Sequence, residues 1–296
     1  MIAGSYRSDN AVCARPDCVS GDRDIHRLVI SVDSVHAYVE VASQRDDGEG
    51  VRWFRGIRSI DYALTPSLYR PESTNNKSLS IDETLKVEQW LLDRFAERSA
   101  PFRSHNQSTE KIELLFEMQH YGTPTRLLDW SESALVSLWF AVMGDSADDS
   151  AVWILNPAKW NDLVFSQRKD VKNVLAPLSP EVIGMQPWAS LRPEILHEAP
   201  LCIYGVHNST RIVSQRGVFT LGGRSMLAME EQVNDLAKFG TYSETELLSK
   251  IVIPQGARDD IRSQLTALGF THSMIFPDLA GLAKELTERL DESGLV

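Results

Sequence analysis

Met118-Gln119-His120-Tyr121-Gly122-Thr123-Pro124-Thr125-Arg126-Leu127-Leu128-Asp129-Trp130 sets a dense group of polar side chains between two apolar helical runs. Upstream, Ile112, Leu115, Phe116 and Gln119 fall on one helical face, and Thr109 is a suitable N-cap. Gly122 suits a left-handed position just past that helix, and Pro124 blocks its resumption, so His120 and Tyr121 occupy the last turn. Downstream, Ser131 is positioned to cap a second helix over residues 134–143. Its body is apolar on nearly every side, which predicts burial on all faces. Arg126 and Asp129 then lie on a short connector pinned between two core helices. A charge there is costly unless it is paired or faces a cleft. One reading makes the two an ion pair stapling the connector, with Gln119 and His120 hydrogen-bonded in the core. The other makes the segment one wall of a polar site.

Around this centre the pattern is mixed. Residues 1–27 lack periodicity and read as a mobile arm, leaving 28–296 as one globular domain. Val32, Val35, Val39 and Ala42 follow helical spacing and end at a charged loop over 45–50. Ser80-Ile81-Asp82-Glu83 is a capping box opening a helix to about residue 98, with Ile81, Leu85, Leu92 and Phe95 inward. Strands are expected at 51–55, 151–155, 201–206, 218–221, 250–253 and 274–276. Pro157 starts a helical turn, and further helices fall at 259–268, closed by Gly269, and at 278–290. Residues 165–197 carry little regular signal. Strands and helices do not alternate strictly, so the class is α+β, a single globular domain of mixed short strands packed on buried helices.

Composition removes several functions. At 296 residues the chain can bury a full core. A net charge of −11 argues against wrapping duplex DNA, which needs a dominant basic surface. No run is long and apolar enough for a membrane span and no signal pattern opens the chain, so a cytoplasmic location is expected. Cys13, Cys18 and Cys202 are too few and too scattered for a disulfide framework. Cys13 and Cys18 with His26 lack a fourth ligand, and no metal is expected. P-loop, dinucleotide-fold glycine, His-Glu-x-x-His and Gly-x-Ser-x-Gly patterns are all missing.

Trp53-Phe54-Arg55-Gly56, Gln119-His120-Tyr121-Gly122, Pro124-Thr125-Arg126-Leu127-Leu128-Asp129-Trp130 and Arg211-Ile212-Val213-Ser214-Gln215-Arg216-Gly217-Val218-Phe219-Thr220 form four ordered blocks. Together with Ala151-Val152-Trp153-Ile154-Leu155-Asn156-Pro157 and Phe276-Pro277-Asp278-Leu279, they resemble the FRG domain over about residues 53–282. That family is named for its Phe/Tyr-Arg-Gly motif. The resemblance brings no established chemistry; it associates the chain with phage-defence or toxin-like effectors.

The residues themselves suggest an anion site. Arg55 is expected at a strand end, with Gly56 letting backbone approach a ligand, and Arg126 and Arg211 offer two more planar guanidinium forks for phosphate. Gln119 completes the ligand-binding set, with His120, Asp129 and Gln215 placed for proton handling or orientation. A nucleotide or other phosphate-bearing molecule is the natural ligand. The early Arg-Gly also looks like the first motif of arginine-dependent ADP-ribosyltransferases, which makes NAD the candidate cofactor and Glu194, Glu230 or Glu231 the catalytic glutamate by position. Metal-independent RNA cleavage is the remaining alternative, with His120 and either His197 or His207 moving protons.

Overall fold

A computed structural model describes residues 30–44, 51–75, 77–103, 110–166 and 173–293. The expected arm, the charged loop over 45–50, the cap Thr109, and Cys13, Cys18 and His26 lie outside the described residues. The seven strands described are β1 (Ile30–Ser31), β2 (Trp53–Ile57), β3 (Leu127–Ser131), β4 (Ser150–Leu155), β5 (Leu201–Tyr204), β6 (Gly217–Leu221) and β7 (Leu248–Ile253). They form one sheet in the order β1-β7-β4-β2-β3-β6-β5. The short edge strand β1 runs parallel to β7, and every other pairing is antiparallel. Helices gather on both faces, so the class is α+β, as the sequence predicts.

The pairing is uneven at the centre. β2 pairs with β4 over five positions, and β3 pairs with β6 over five. Between themselves β2 and β3 share one, Phe54 opposite Ser131. The sheet therefore splits along this line, and the strands part beyond Phe54.

Period-two alternation assigns the faces. Trp53, Ile57, Leu128, Trp130, Trp153 and Leu155 point to one side. There they meet Trp160 and Leu163 of α5 (Pro157–Val164) and Val233 and Leu236 of α8 (Met229–Ala237) in one continuous cluster. The opposite face carries two clusters. In the first, Phe54, Val152, Ile154, Ile251 and Ile253 pack under α1 (Val35–Gln44), α4 (Ala134–Val142) and α10 (Arg258–Ala267). In the second, Leu127, Phe219 and Leu221 pack under α2 (Ile81–Ser99), α3 (Lys111–His120) and α7 (Thr210–Ser214). A gap between these two clusters overlies the split in the sheet.

The local signals explain most boundaries. Ser80 accepts the Glu83 amide while the Glu83 carboxylate accepts the Ser80 amide, which completes the capping box of α2. Gly122 and Gly269 take positive φ of 78° and 88° at helix ends, where a Cβ would be strained. The expected connector over 126–129 is corrected: Leu127–Ser131 is strand β3, sandwiched between both faces' cores. Ser133, not Ser131, caps α4, and the Ser131 hydroxyl accepts the Ser133 amide at 2.9 Å. The strand expected at 274–276 is the helical turn α11 (His272–Ile275), capped by Thr271, ahead of the terminal helix α12 (Leu279–Ser293). Val39, one of the four residues at helical spacing, is 43% exposed on α1, and Tyr38 beside it is buried.

Candidate functional site

The split and the gap above it make a cleft of about 250 Å³. Its floor comes from β2, β3 and β6, and its walls from the end of α3, from Ser137 and Phe140 of α4, and from α7 with the residue that follows it. Six of the seven charged or amide side chains singled out in the sequence line it: Arg55, Gln119, His120, Asp129, Arg211 and Gln215. Gly56 lines it as well, for a reason other than the one expected. A Cβ on Gly56 would lie 1.9 Å from the Ser137 carbonyl oxygen. The glycine lets helix α4 lie close against β2, and the strand runs on through it to Ile57.

Arg55 reaches into the split. Its Nη1 donates to the Asp129 carbonyl oxygen, taking the place of a strand amide where β2 and β3 have parted. The guanidinium stands 4.0 Å from the Asp129 carboxylate, too far for a tight pair, and its buried Nε has no hydrogen-bond partner. Burial lowers the Arg55 pKa, partly offset by Asp129 and reinforced by the neighbouring charge of Arg70. Asp129 has a 57% exposed side chain on a face where its neighbours are apolar. Gln119 Nε2 donates to that carboxylate at 2.7 Å, and Thr125 Oγ1 donates to Gln119 Oε1 at 2.5 Å, so the amide is oriented from both ends.

On the opposite wall, Ser209 caps α7 and so presents Arg211 to the cleft. The guanidinium carbon lies 4.6 Å from the centre of the Phe276 ring, a cation–π placement that holds the fork without neutralising it. Among the described residues Arg211 has no carboxylate within ion-pair distance; the one hydrogen bond of its guanidinium runs to the His120 carbonyl oxygen at 3.4 Å. Burial lowers its pKa, and Asp129 and Asp278 oppose that at longer range. His120 is also shifted downward, first by burial and then by the Arg211 charge, which favours the neutral imidazole. Its Nδ1 sits 3.4 Å from the Ser209 hydroxyl. Gln215 is held by its Nε2 bond to the Ile275 carbonyl at 3.1 Å, and its own carbonyl accepts from Ser131.

Arg126 is the correction. It is fully buried, its Nε bonded to Glu88 of α2 at 2.7 Å and its backbone amide bonded to the other Glu88 oxygen at 2.9 Å. Its remaining nitrogens donate to the carbonyls of Gly222 and Met185. Burial alone would lower its pKa, but Glu88 and Tyr69 outweigh that and raise it. It is a staple between α2, β3 and two loops, and it does not line the cleft.

The alternative proton-transfer groups are also elsewhere. Glu194 is exposed on a 3₁₀ turn, Glu230 accepts the Leu64 amide, and Glu231 accepts the Ala228 amide at the start of α8. Glu244-Thr245-Glu246, a Glu-x-Glu run, is likewise outside the cleft, and there Glu246 closes a capping box with Ser243 and pairs with Lys159 at 3.1 Å. His197 packs against Phe165 beneath a separate groove, and His207 is exposed. Among the described residues, Asp129 is the one carboxylate lining the cleft. Phe140 and Ser137 went unnoticed because an all-apolar helix gives no hint of which turn faces a gap.

Fold and site together define an α+β protein with a polar cleft let into the split centre of a mixed sheet. Residues 51–150 match the family model described as the FRG domain, and the chain carries that domain. The match covers Arg55, Gln119, His120 and Asp129; Arg211 and Gln215 complete the same cleft from outside it. No curated protein and no solved structure matches the chain.

Proposed function

We propose that the cleft binds a phosphate-bearing nucleotide, with Arg55 and Arg211 as the anion-holding forks and Gln119 and Gln215 as amides able to read its polar edge. The observation that carries this reading is the convergence of two guanidiniums, Arg55 held only loosely by Asp129 at 4.0 Å and Arg211 with no carboxylate at ion-pair distance among the described residues. In a protein of net charge −11, buried or half-buried arginines whose acidic partner is distant, as for Arg55, or missing at ion-pair distance, as for Arg211, are costly unless an anion completes them. Charge-assisted bonds from both guanidiniums would hold a phosphate, Arg55 doing so as its Nη1 leaves the Asp129 carbonyl.

The reading is tested by calorimetric titration with adenosine and guanosine monophosphates and with NAD. Arg211→Gln is expected to weaken binding about tenfold or more while leaving the melting temperature close to that of the parent. Equal affinity in parent and variant would remove Arg211 from the site and with it the reading.

A second, enzymatic reading rests on Asp129, an exposed carboxylate oriented by Gln119 and near Arg55. In an ADP-ribosyltransferase-like reaction with NAD, Asp129 would do the work of the missing glutamate, stabilising the positive charge that develops on the ribose as nicotinamide leaves. Chromatography for nicotinamide after incubation with NAD and a cell lysate checks it: release that survives Asp129→Asn is incompatible with that role.

A further inference from the structure

Beyond the cleft, a wider groove of about 690 Å³ continues over the outer end of β2 towards α12. The two spaces share a wall, since Arg55, Gly56, Phe140 and Arg211 border both. Their chemistry differs. The inner cleft is small for a whole cofactor, below the roughly 300–1,000 Å³ of drug-sized pockets, and combines aromatic rings with two amides. The outer groove adds three further cations, Arg58, Arg70 and Lys284, against one carboxylate, Asp278. That carboxylate is engaged, with one oxygen accepting the Gly281 amide at 2.8 Å at the start of α12. Arg70 is fixed on the groove wall by its Nε bond to the Thr65 carbonyl at 2.9 Å. Arg58 and Lys284 have no hydrogen bond and no ion pair among the described residues. Five cations facing one carboxylate, on a chain with 41 acidic and 30 basic residues, is a local reversal of the molecule's charge.

We infer that the outer groove is a second anion subsite, which takes the terminal phosphates of a nucleoside polyphosphate whose base lies in the inner cleft and whose first phosphate lies between Arg55 and Arg211. This rests on the nucleotide reading of the inner cleft and fixes the ligand's direction: base inward, phosphate chain outward past Phe140. Charge-assisted bonds to Arg58, Arg70 and Lys284 then grade affinity by chain length, and salt weakens the added part.

The test is a calorimetric series of adenosine and guanosine mono-, di- and triphosphates in chelator without added metal, on the parent and on Arg58→Gln/Lys284→Gln. Both altered side chains are without hydrogen-bond partners, so the fold is not at stake; circular dichroism confirms it. The expected result is a gain of about tenfold from mono- to triphosphate in the parent, reduced at least severalfold in the double variant with monophosphate affinity unchanged. If monophosphates bind and the triphosphate binds no tighter, or if the gain survives the double variant, the outer subsite is overturned while the inner reading stands. If no monophosphate binds, the inner reading fails, and inorganic tripolyphosphate becomes the probe. Its binding to the parent and loss in the double variant would uphold the outer subsite alone, and no binding would overturn that too.

Discussion

Arg126 and Glu88 meet at 2.7 Å with neither side chain reached by solvent, so deleting one strands the other in the core. Arg126→Ala should lower unfolding free energy by about 3–5 kcal/mol in a denaturant titration while ligand affinity of the folded fraction is unchanged. Replacing both partners with Leu and Met should recover much of that loss. The sequence shows that a charge at 126 needs a partner, but it points to Asp129, three residues on in the chain, whereas the partner sits on α2. Arg211 and Arg126 look alike as letters, and only the tertiary neighbours separate an occupied fork from an open one. His120 yields a pH prediction. Its folded-state pKa is lowered, so as pH falls through about 6.5 the unfolded chain takes up the proton first, and His120 costs stability at acid pH. A bound anion favours the imidazolium, so affinity for NAD, whose pyrophosphate does not titrate in that window, should rise a few-fold from about pH 8 to about pH 6. His120→Gln should flatten this slope in calorimetry; an unchanged slope would assign it to another group.

Helix α4 and strand β2 lie so close that one methyl group decides the spacing. Gly56→Ala places a Cβ against the Ser137 carbonyl and should destabilise by roughly 1–3 kcal/mol or more, read as a fall in melting temperature. Because Ser137 and Phe140 also wall the cleft, the same change should weaken ligand binding without altering a polar side chain. The all-apolar run of α4, the capping box of α2 and the β-branched strands β4 and β7 were legible because each is long or sharply capped. Strand β3 was not. Five residues carrying an aspartate and flanked by helical runs give no clear alternation, and its identity as a strand comes from pairing with β6 ninety residues on in the chain. The α11 turn was hidden for a related reason: Met274, Ile275 and Phe276 are apolar enough for a strand, and the Thr271 cap that bends them into a turn lies just outside that window.

Across the whole molecule, the charge of −11 and the basic groove coexist because five of the cations gather at that groove against one carboxylate. Binding to bulk duplex DNA should accordingly be weak and collapse with added salt in a filter-binding titration, since the groove can neutralise few phosphates at once. The convergence of Arg55, Gln119, His120, Asp129, Arg211 and Gln215 was readable from ordered polar blocks, whereas Arg58 and Lys284 stand in no block and depend on α12 folding back beside β2. The parting of β2 from β3 also changes what it costs to admit a guest. Elsewhere in the sheet a ligand would have to displace main-chain bonds; here Arg55 already stands in for one, and a phosphate drawing that guanidinium away supplies the missing rung itself. The halves of the sheet on either side are then cross-braced by whatever occupies the seam. Amide exchange at the β2–β3 border should slow with ligand far more than along β4–β7, where the ladder is complete in either state.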